Sequence, residues 1–327
     1  MKRISIIAIL LLAAILLPGC TSLSPTDQDL TVVGKVGDYE VYYDELRYFV
    51  MNYKTQVLDS KYGDISGDPE KIAEYEAELM EYVGAAITRN YAVMLLCDGF
   101  SVDYEAETIL EQVDLYVDET IEEAGGKKEY KKQLDSLFLT DRFYRIYLQM
   151  NYAERELKYI FADDFGFIPG TDDEIKEYMN SDDFICTRHI CVLKDDSAPA
   201  AVKAKIEMIY DELEGGALFE DLIGMYSEDY QDTGNGYYFT YGEMDKNYEE
   251  AAFELDEYEY SEIIETSYGY YIIMKCEKDK EYMDDHFADL KNQIQYALTY
   301  NKVSEQQEKL TFTFNDYGLS LDLYGMK

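Results

Sequence analysis

The stretch Gly242-Glu-Met-Asp-Lys-Asn-Tyr-Glu-Glu-Ala-Ala-Phe253 is read with the segments on either side of it. Upstream, Phe-Ile-Cys-Thr-Arg-His-Ile-Cys-Val-Leu over 184–193 is an apolar run that reads as a strand. Residues 201–214 carry Val202, Ile206, Ile209 and Leu213 at helical spacing and stop at Gly215-Gly216. A second short helix is expected over 218–226, then a Gly-containing loop, then a helical segment over 244–255. Met244 and Tyr248 lie four residues apart, which would put them on one helix face. A strand over 268–276 follows, so this part of the chain reads as mixed α/β.

The flanks read differently. Val32, Val36, Val41 and Tyr43 alternate in part around Gly37-Asp38, which predicts a small hairpin. Asp44 is placed to cap a helix carrying Leu46, Phe49, Val50, Tyr53 and Val57. Asp68-Pro69 opens a second helix, with Asp at the N-cap and Pro at the first helical position. Further helices carry residues 44–161 to an almost wholly helical content, with no catalytic constellation among them. Residues 166–173 form a break, and Thr171 to Glu174 has the spacing of a capping box. Near the C-terminus a helix over 282–310 precedes Leu-Thr-Phe-Thr-Phe, which alternates as a strand. That tail cannot bury its own apolar face, and its expected partners are the N-terminal hairpin and helices. The α/β part would then be an insertion in a helical domain built from both chain ends.

Composition narrows the function. The chain of 327 residues has 68 Asp and Glu against 29 Lys and Arg, a net charge of −39. A polyanion would be repelled by such a surface, so nucleic-acid binding is excluded as an expectation. Apolar residues make up 47% of the chain, enough for a core. With 34 Tyr and no Trp, the chain is rich in side chains that combine apolar area with a polar tip. Lys2 and Arg3 precede an apolar run over 4–17, short for a membrane span and suited to a secretory leader. The run ends in Leu17-Pro18-Gly19-Cys20, which resembles the lipobox of bacterial lipoproteins, where the Cys is acylated and becomes the mature N-terminus. Residues 1–19 are thus expected to be a signal peptide, Cys20 the lipidation site, and 20–30 a polar tether to the membrane.

Five segments, in order, then carry a family resemblance. Arg188-His-Ile-Cys-Val192 looks like the first strand of a parvulin-type peptidyl-prolyl isomerase. Gly216-Ala-Leu-Phe-Glu-Asp-Leu222 with Tyr226-Ser-Glu-Asp229 resembles the next conserved stretch of that family. Gly234-Asn-Gly-Tyr-Tyr-Phe239 stands at its Gly-rich loop, Gly242 to Phe253 at its Met- and Phe-containing helix, and Thr266 to Ile273 at its closing strand. The upstream helices, capped linker and lipobox resemble PrsA-like foldase lipoproteins and the SurA chaperone architecture.

The resemblance implies an α+β fold: a mostly helical chaperone domain of N- and C-terminal segments, with an inserted parvulin-like domain built on a small antiparallel sheet. It implies a helical domain over 31–165, a linker helix over 166–181, the isomerase domain over 182–280, and a C-terminal segment, 281–327, packing on the first domain. The implied catalytic residues are His189, Asp229, Tyr271 and Thr266, and the implied substrate-binding residues are Met244, Tyr248, Phe253 and Phe239. The family often has a second His where Tyr271 stands, and a phenol cannot carry charge as His does near neutral pH. Tyr248 stands at a family Phe and adds a hydroxyl that needs a partner. No cofactor and no metal are implied. Cys186, His189 and Cys191 lack the further ligands of a zinc site, and His286 reads as a surface residue. A Cys191–Cys276 disulfide is left open. The implied function is a membrane-anchored extracytoplasmic foldase that binds unfolded secreted proteins and isomerises Xaa-Pro bonds. The alternative is a holdase of the same fold with a weak or inactive isomerase site. A homodimer is compatible with either.

Overall fold

The computed structural model describes residues 23–195, 197–230 and 234–327. The expected signal peptide and Cys20 lie outside the described residues. The chain is α+β and its described residues divide into two units, one comprising residues 23–156 with Val303–Lys327, the other Leu157–Lys302.

The first unit opens with β1 (Val32–Val36) and β2 (Tyr39–Tyr42), antiparallel about a turn in which Gly37 takes φ 57°. Then come α1 (Tyr43–Tyr53), a π-helical turn (Lys54–Leu58), α2 (Asp59–Tyr62), α3 (Pro69–Phe100), α4 (Glu107–Glu123), α5 (Lys127–Ser136) and α6 (Asp141–Tyr159). The start of α3 is set by Asp68, whose carboxylate accepts from Lys71 N, with Pro69 at the first helical position. Tyr75, Leu79, Val83 and Ile87 recur every four residues along α3 and are buried. Asp44 does not cap α1. The N-cap is Tyr42, without a side-chain bond, and Asp44 lies in the first turn, fully buried, where Arg142 and Thr140 donate to its carboxylate. A carboxylate buried this completely requires such a pair, which Arg142 of α6 supplies.

The second unit holds α7 (Asp172–Met179), β3 (Phe184–Leu193), α8 (Pro199–Glu214), α9 (Phe219–Tyr226), β4 (Tyr237–Thr240), α10 (Lys246–Glu254), β5 (Ile264–Glu265), β6 (Gly269–Cys276), α11 (Lys280–Asp285) and α12 (Phe287–Gln307). Its sheet has the order β4-β3-β6-β5, antiparallel throughout. The long central strand β3 shows why the sheet is covered on both sides. Side chains alternate along a strand, so Phe184, Cys186, Ile190 and Val192 face one way and Ile185, Thr187, His189 and Cys191 the other. On the first face, α8 and α9 pack Ile206, Ile209, Leu213 and Leu222 against Ile190 and Val192. On that same face Ile175 and Met179 of α7 join Phe184 and Cys186, with Met283, Leu290 and Ile294. The opposite face carries α10 and the candidate site.

The chain returns to the first unit with β7 (Phe312–Phe314), which adds to β1 in a sheet ordered β2-β1-β7, and α13 (Asp316–Leu319). The strands approach so closely that a Cβ on Gly34 would meet Thr313 O at 2.4 Å. The divide between units falls within α6 and α12, not at 165 and 281. Residues 166–181 and 281–302 belong to the second unit because the apolar faces of α7 and early α12 cover one end of its sheet. Thr171 and Glu174 form the capping box at the start of α7.

Candidate active site

His189 sits on β3, 7% exposed, and both its ring nitrogens are engaged. Nε2 lies 3.0 Å from Asp229 Oδ2 and Nδ1 lies 3.0 Å from Tyr248 Oη. Asp229 reaches the ring for a backbone reason. β4 pairs only with residues 184–187 of β3, leaving the later part of that edge open. The segment after α9 fills it: Glu228 N donates to Cys191 O at 2.8 Å, Cys191 N to Ser227 Oγ, and Leu193 N to the Glu228 carboxylate. Asp229 is thereby delivered beside the imidazole.

Three tyrosines enclose that imidazole. Tyr237 stacks on it with centroids 5.0 Å apart, while Tyr248 and Tyr271 meet it edge-on at 5.6 and 5.1 Å. The Tyr237 hydroxyl also donates to Asp229 Oδ2. Tyr248 Oη lies 2.8 Å from Thr187 Oγ1, so the hydroxyl that Tyr adds at this position has found two partners. Burial pushes the Tyr248 phenol well above the usual tyrosine range, so it stays a hydroxyl. These contacts fix the tautomer of a neutral ring. A carboxylate only accepts, so Nε2–H donates to Asp229, and Tyr248 donates to Nδ1 while accepting from Thr187. On protonation Nδ1 becomes a donor, and the Tyr248 and Thr187 hydroxyls can turn to accommodate it.

The expected substrate-binding residues divide into two groups. Phe239 is fully buried and Tyr248 is 4% exposed, so they form the floor of the site and not its contact surface. Met244, Phe253 and Tyr271 are half-buried and pack against that floor. Phe253 stacks on Tyr241 at 3.6 Å. Met244 precedes α10, whose N-cap is Asp245, so helical i, i+4 spacing is not what brings it to Tyr248. It is held instead by Glu249, whose Oε1 accepts from Glu243 N and Met244 N at 2.7 and 2.9 Å. Thr266 is buried, and its hydroxyl accepts from Tyr268 N and Gly269 N and so closes the turn into β6. Tyr271 meets the imidazole only edge-on, and burial, then Cys191, pushes its phenol up.

Tyr237, Thr187 and Glu249 are the site residues the sequence reading passed over. Strand alternation offered a signal for two of them, since Thr187 shares a face with His189 and pairs with Tyr237. The cysteines are also reassigned. Cys276 stands opposite Cys186, and Cys191 opposite Tyr271, so Cys191 and Cys276 occupy different faces and do not pair. Among the described residues no cluster of three His, Cys, Asp or Glu side chains could hold a metal ion.

Residues 176–279 match the PPIC-type PPIase domain family. The second unit is thus built around a parvulin-type peptidyl-prolyl isomerase domain, and the chain is an enzyme of that class. The "Foldase protein PrsA" of Bacillus subtilis is 31% identical over 239 residues, covering 70% of this chain and 75% of that protein. The "Foldase protein PrsA" of Geobacillus kaustophilus is 27% identical over 271 residues, covering 81% and 85%. A solved structure of peptidylprolyl isomerase (PrsA) from Bacillus anthracis is similar at 19% identity and a TM-score of 0.36, covering 67% of this chain and 94% of that one. The chain belongs to the PrsA foldase family, an isomerase-bearing class of foldases.

Proposed function

We propose that the chain is an extracytoplasmic, lipid-anchored foldase that binds unfolded secreted polypeptides through its helical unit and isomerises their Xaa-Pro bonds at the His189 site. The observation that carries the catalytic part is His189 held at both nitrogens and met edge-on by half-buried Tyr271, with half-buried Met244 and Phe253 packed on the same cluster as its partner Tyr248. Amide rotation has a barrier of about 18–20 kcal/mol because resonance must be broken. No nucleophile is required. What helps is an apolar wall for the proline ring and a fixed polar environment that favours the twisted amide over the planar one. Met244, Phe253 and Tyr271 are the wall in this reading. His189 and Asp229, braced by Tyr237, Tyr248 and Thr187, are the fixed polar group, and Thr266 positions Tyr271.

Client binding is assigned to the first unit on the strength of its tyrosines. Tyr53 and Tyr82 stack at 4.0 Å and, with Glu78 and Glu81, line an open concavity of about 680 Å³. Elsewhere in the same unit Leu115, Tyr116 and Leu137 are exposed. Anchoring is assigned to Cys20 from the lipobox-like leader; among the described residues no helix is long and apolar enough to cross a membrane. A Cys20→Ser variant is expected to appear in the culture medium instead of the membrane fraction, and an unchanged membrane fraction would refute the anchor.

The deciding test of catalysis is NMR exchange of Xaa-Pro peptides with residues 21–327 and with His189→Ala. The expected result is acceleration that falls by roughly a hundredfold in the variant, in line with loss of a positioned polar catalytic group. Tyr271 at the position of a second His favours one other reading, a holdase with a weak isomerase site. Protection of clients from aggregation without any acceleration by the wild type would select it.

A further inference from the structure

We propose that Cys186 and Cys276 form a dithiol–disulfide site, oxidised to a cross-strand disulfide by exchange with a low-molecular-weight disulfide, because they stand directly opposite each other on β3 and β6. Directly opposed residues of antiparallel strands have Cα atoms about 4.5–5.5 Å apart, inside the 4.4–6.8 Å range of disulfides. Their side chains share a face of the sheet, where the Cys186 thiol donates to Asn235 O and the Cys276 thiol to Met274 O, each at 3.7 Å. Neither neighbouring thiol competes. Cys191 points to the other face, opposite Tyr271, and Cys97 is buried in the other unit.

The two thiols differ in a way that orders the chemistry. Cys186 is 2% exposed, whereas Cys276 is only half-buried. The neighbouring Cys186 thiol and the Arg188 cation hold the Cys276 thiol below its ordinary range, while the neighbouring Cys276 and burial push Cys186 up. Cys276 is therefore the attacking thiolate. It forms a bond to one sulfur of the external disulfide, whose S–S bond breaks and releases one thiolate. The Cys186 thiol then loses its proton and attacks Cys276 Sγ, expelling the second thiolate. The protein dithiol loses two electrons and two protons, and the external disulfide is reduced to two thiols.

Gly236 gives the Cys186 sulfur its room: it takes φ +79°, and a Cβ there would lie 2.6 Å from Cys186 Sγ, whose thiol donates to the neighbouring Asn235 O. The proposal does not depend on the isomerase reading, and its readout is a mass, not a rate. The folded full chain is incubated with oxidised glutathione, remaining thiols are alkylated, and digested peptides are mapped by mass spectrometry. The expected product is a 186–276 cross-linked peptide, unchanged in Cys191→Ser, with glutathione retained on Cys276 in Cys186→Ser. The oxidised wild type is also expected to melt several degrees above the reduced form. A wild type in which both cysteines are still alkylated, or in which Cys276 keeps glutathione without passing to the cross-link, overturns the proposal. A cross-link from Cys276 to Cys191 does the same.

Discussion

The two units bury acidic side chains in different company. In the first, Asp44 is fully buried and its carboxylate is bound by Arg142 and Thr140, while the neighbouring Glu45 accepts from Tyr91. In the second, half-buried Asp229 receives His189 and Tyr237. Arginine keeps its charge at any working pH, and the Asp44–Arg142 pair acts as a clamp between α1 and α6. Histidine can exchange a proton, and its ring is met edge-on by Tyr271, which is only half-buried. A buried acid is therefore no marker of a site in this chain. The marker is a titratable partner next to apolar surface that a ligand can reach.

That contrast can be broken at the clamp first. Asp44→Ala leaves Arg142 without its buried partner and should destabilise the first unit by about 3–5 kcal/mol in urea denaturation, with isomerase activity retained. A loss below about 1 kcal/mol, or activity lost together with stability, would remove the distinction. The next effect concerns Glu45, which is wholly buried. Desolvation raises its carboxyl from the ordinary 4.5 to about 8. The folded state then binds the extra proton between those values, so this contribution to stability is complete below 4.5 and is lost as pH rises through about 8. Glu45→Gln should flatten the pH dependence across that window, removing a drop on the order of a few kcal/mol. Parallel stability–pH curves for the two proteins would contradict the assignment. The smallest effect sharpens the other side of the comparison. Tyr248→Phe removes the hydroxyl between His189 and Thr187 and should cost about 1 kcal/mol, a roughly fivefold fall in kcat/KM. Activity at or above wild type would mean that the hydroxyl only fills space.

Local signals in the chain were legible where one segment suffices to satisfy them. Asp68-Pro69 and Thr171 to Glu174 start helices because the cap and the donors it satisfies lie within one turn. β3 spans the predicted 184–193 because its residues suit a strand covered on both faces. The ordered motifs pointed to His189 and Asp229, which the fold brings within 3.0 Å of each other. Asp44 was misread because its partner, Arg142, comes from another helix. Phe239 was read as contact surface, yet it is floor, since only packing against Tyr248 and Phe253 determines what is left open.

By itself, the sequence determined the α+β class, the order of elements, the change from helical to mixed pattern and the residue types of the site. These follow from periodicity, caps and short motifs, whose energies are local. Strand register and the paths of loops were decided only in the tertiary structure. Register set Cys186 opposite Cys276, and the Ser227-Glu228 segment on the open edge of β3 carried Asp229 to His189. The reason is physical: a one-residue slip exchanges the faces of a whole strand, and the choice is made by burial summed over both sides of the sheet, which no single segment contains.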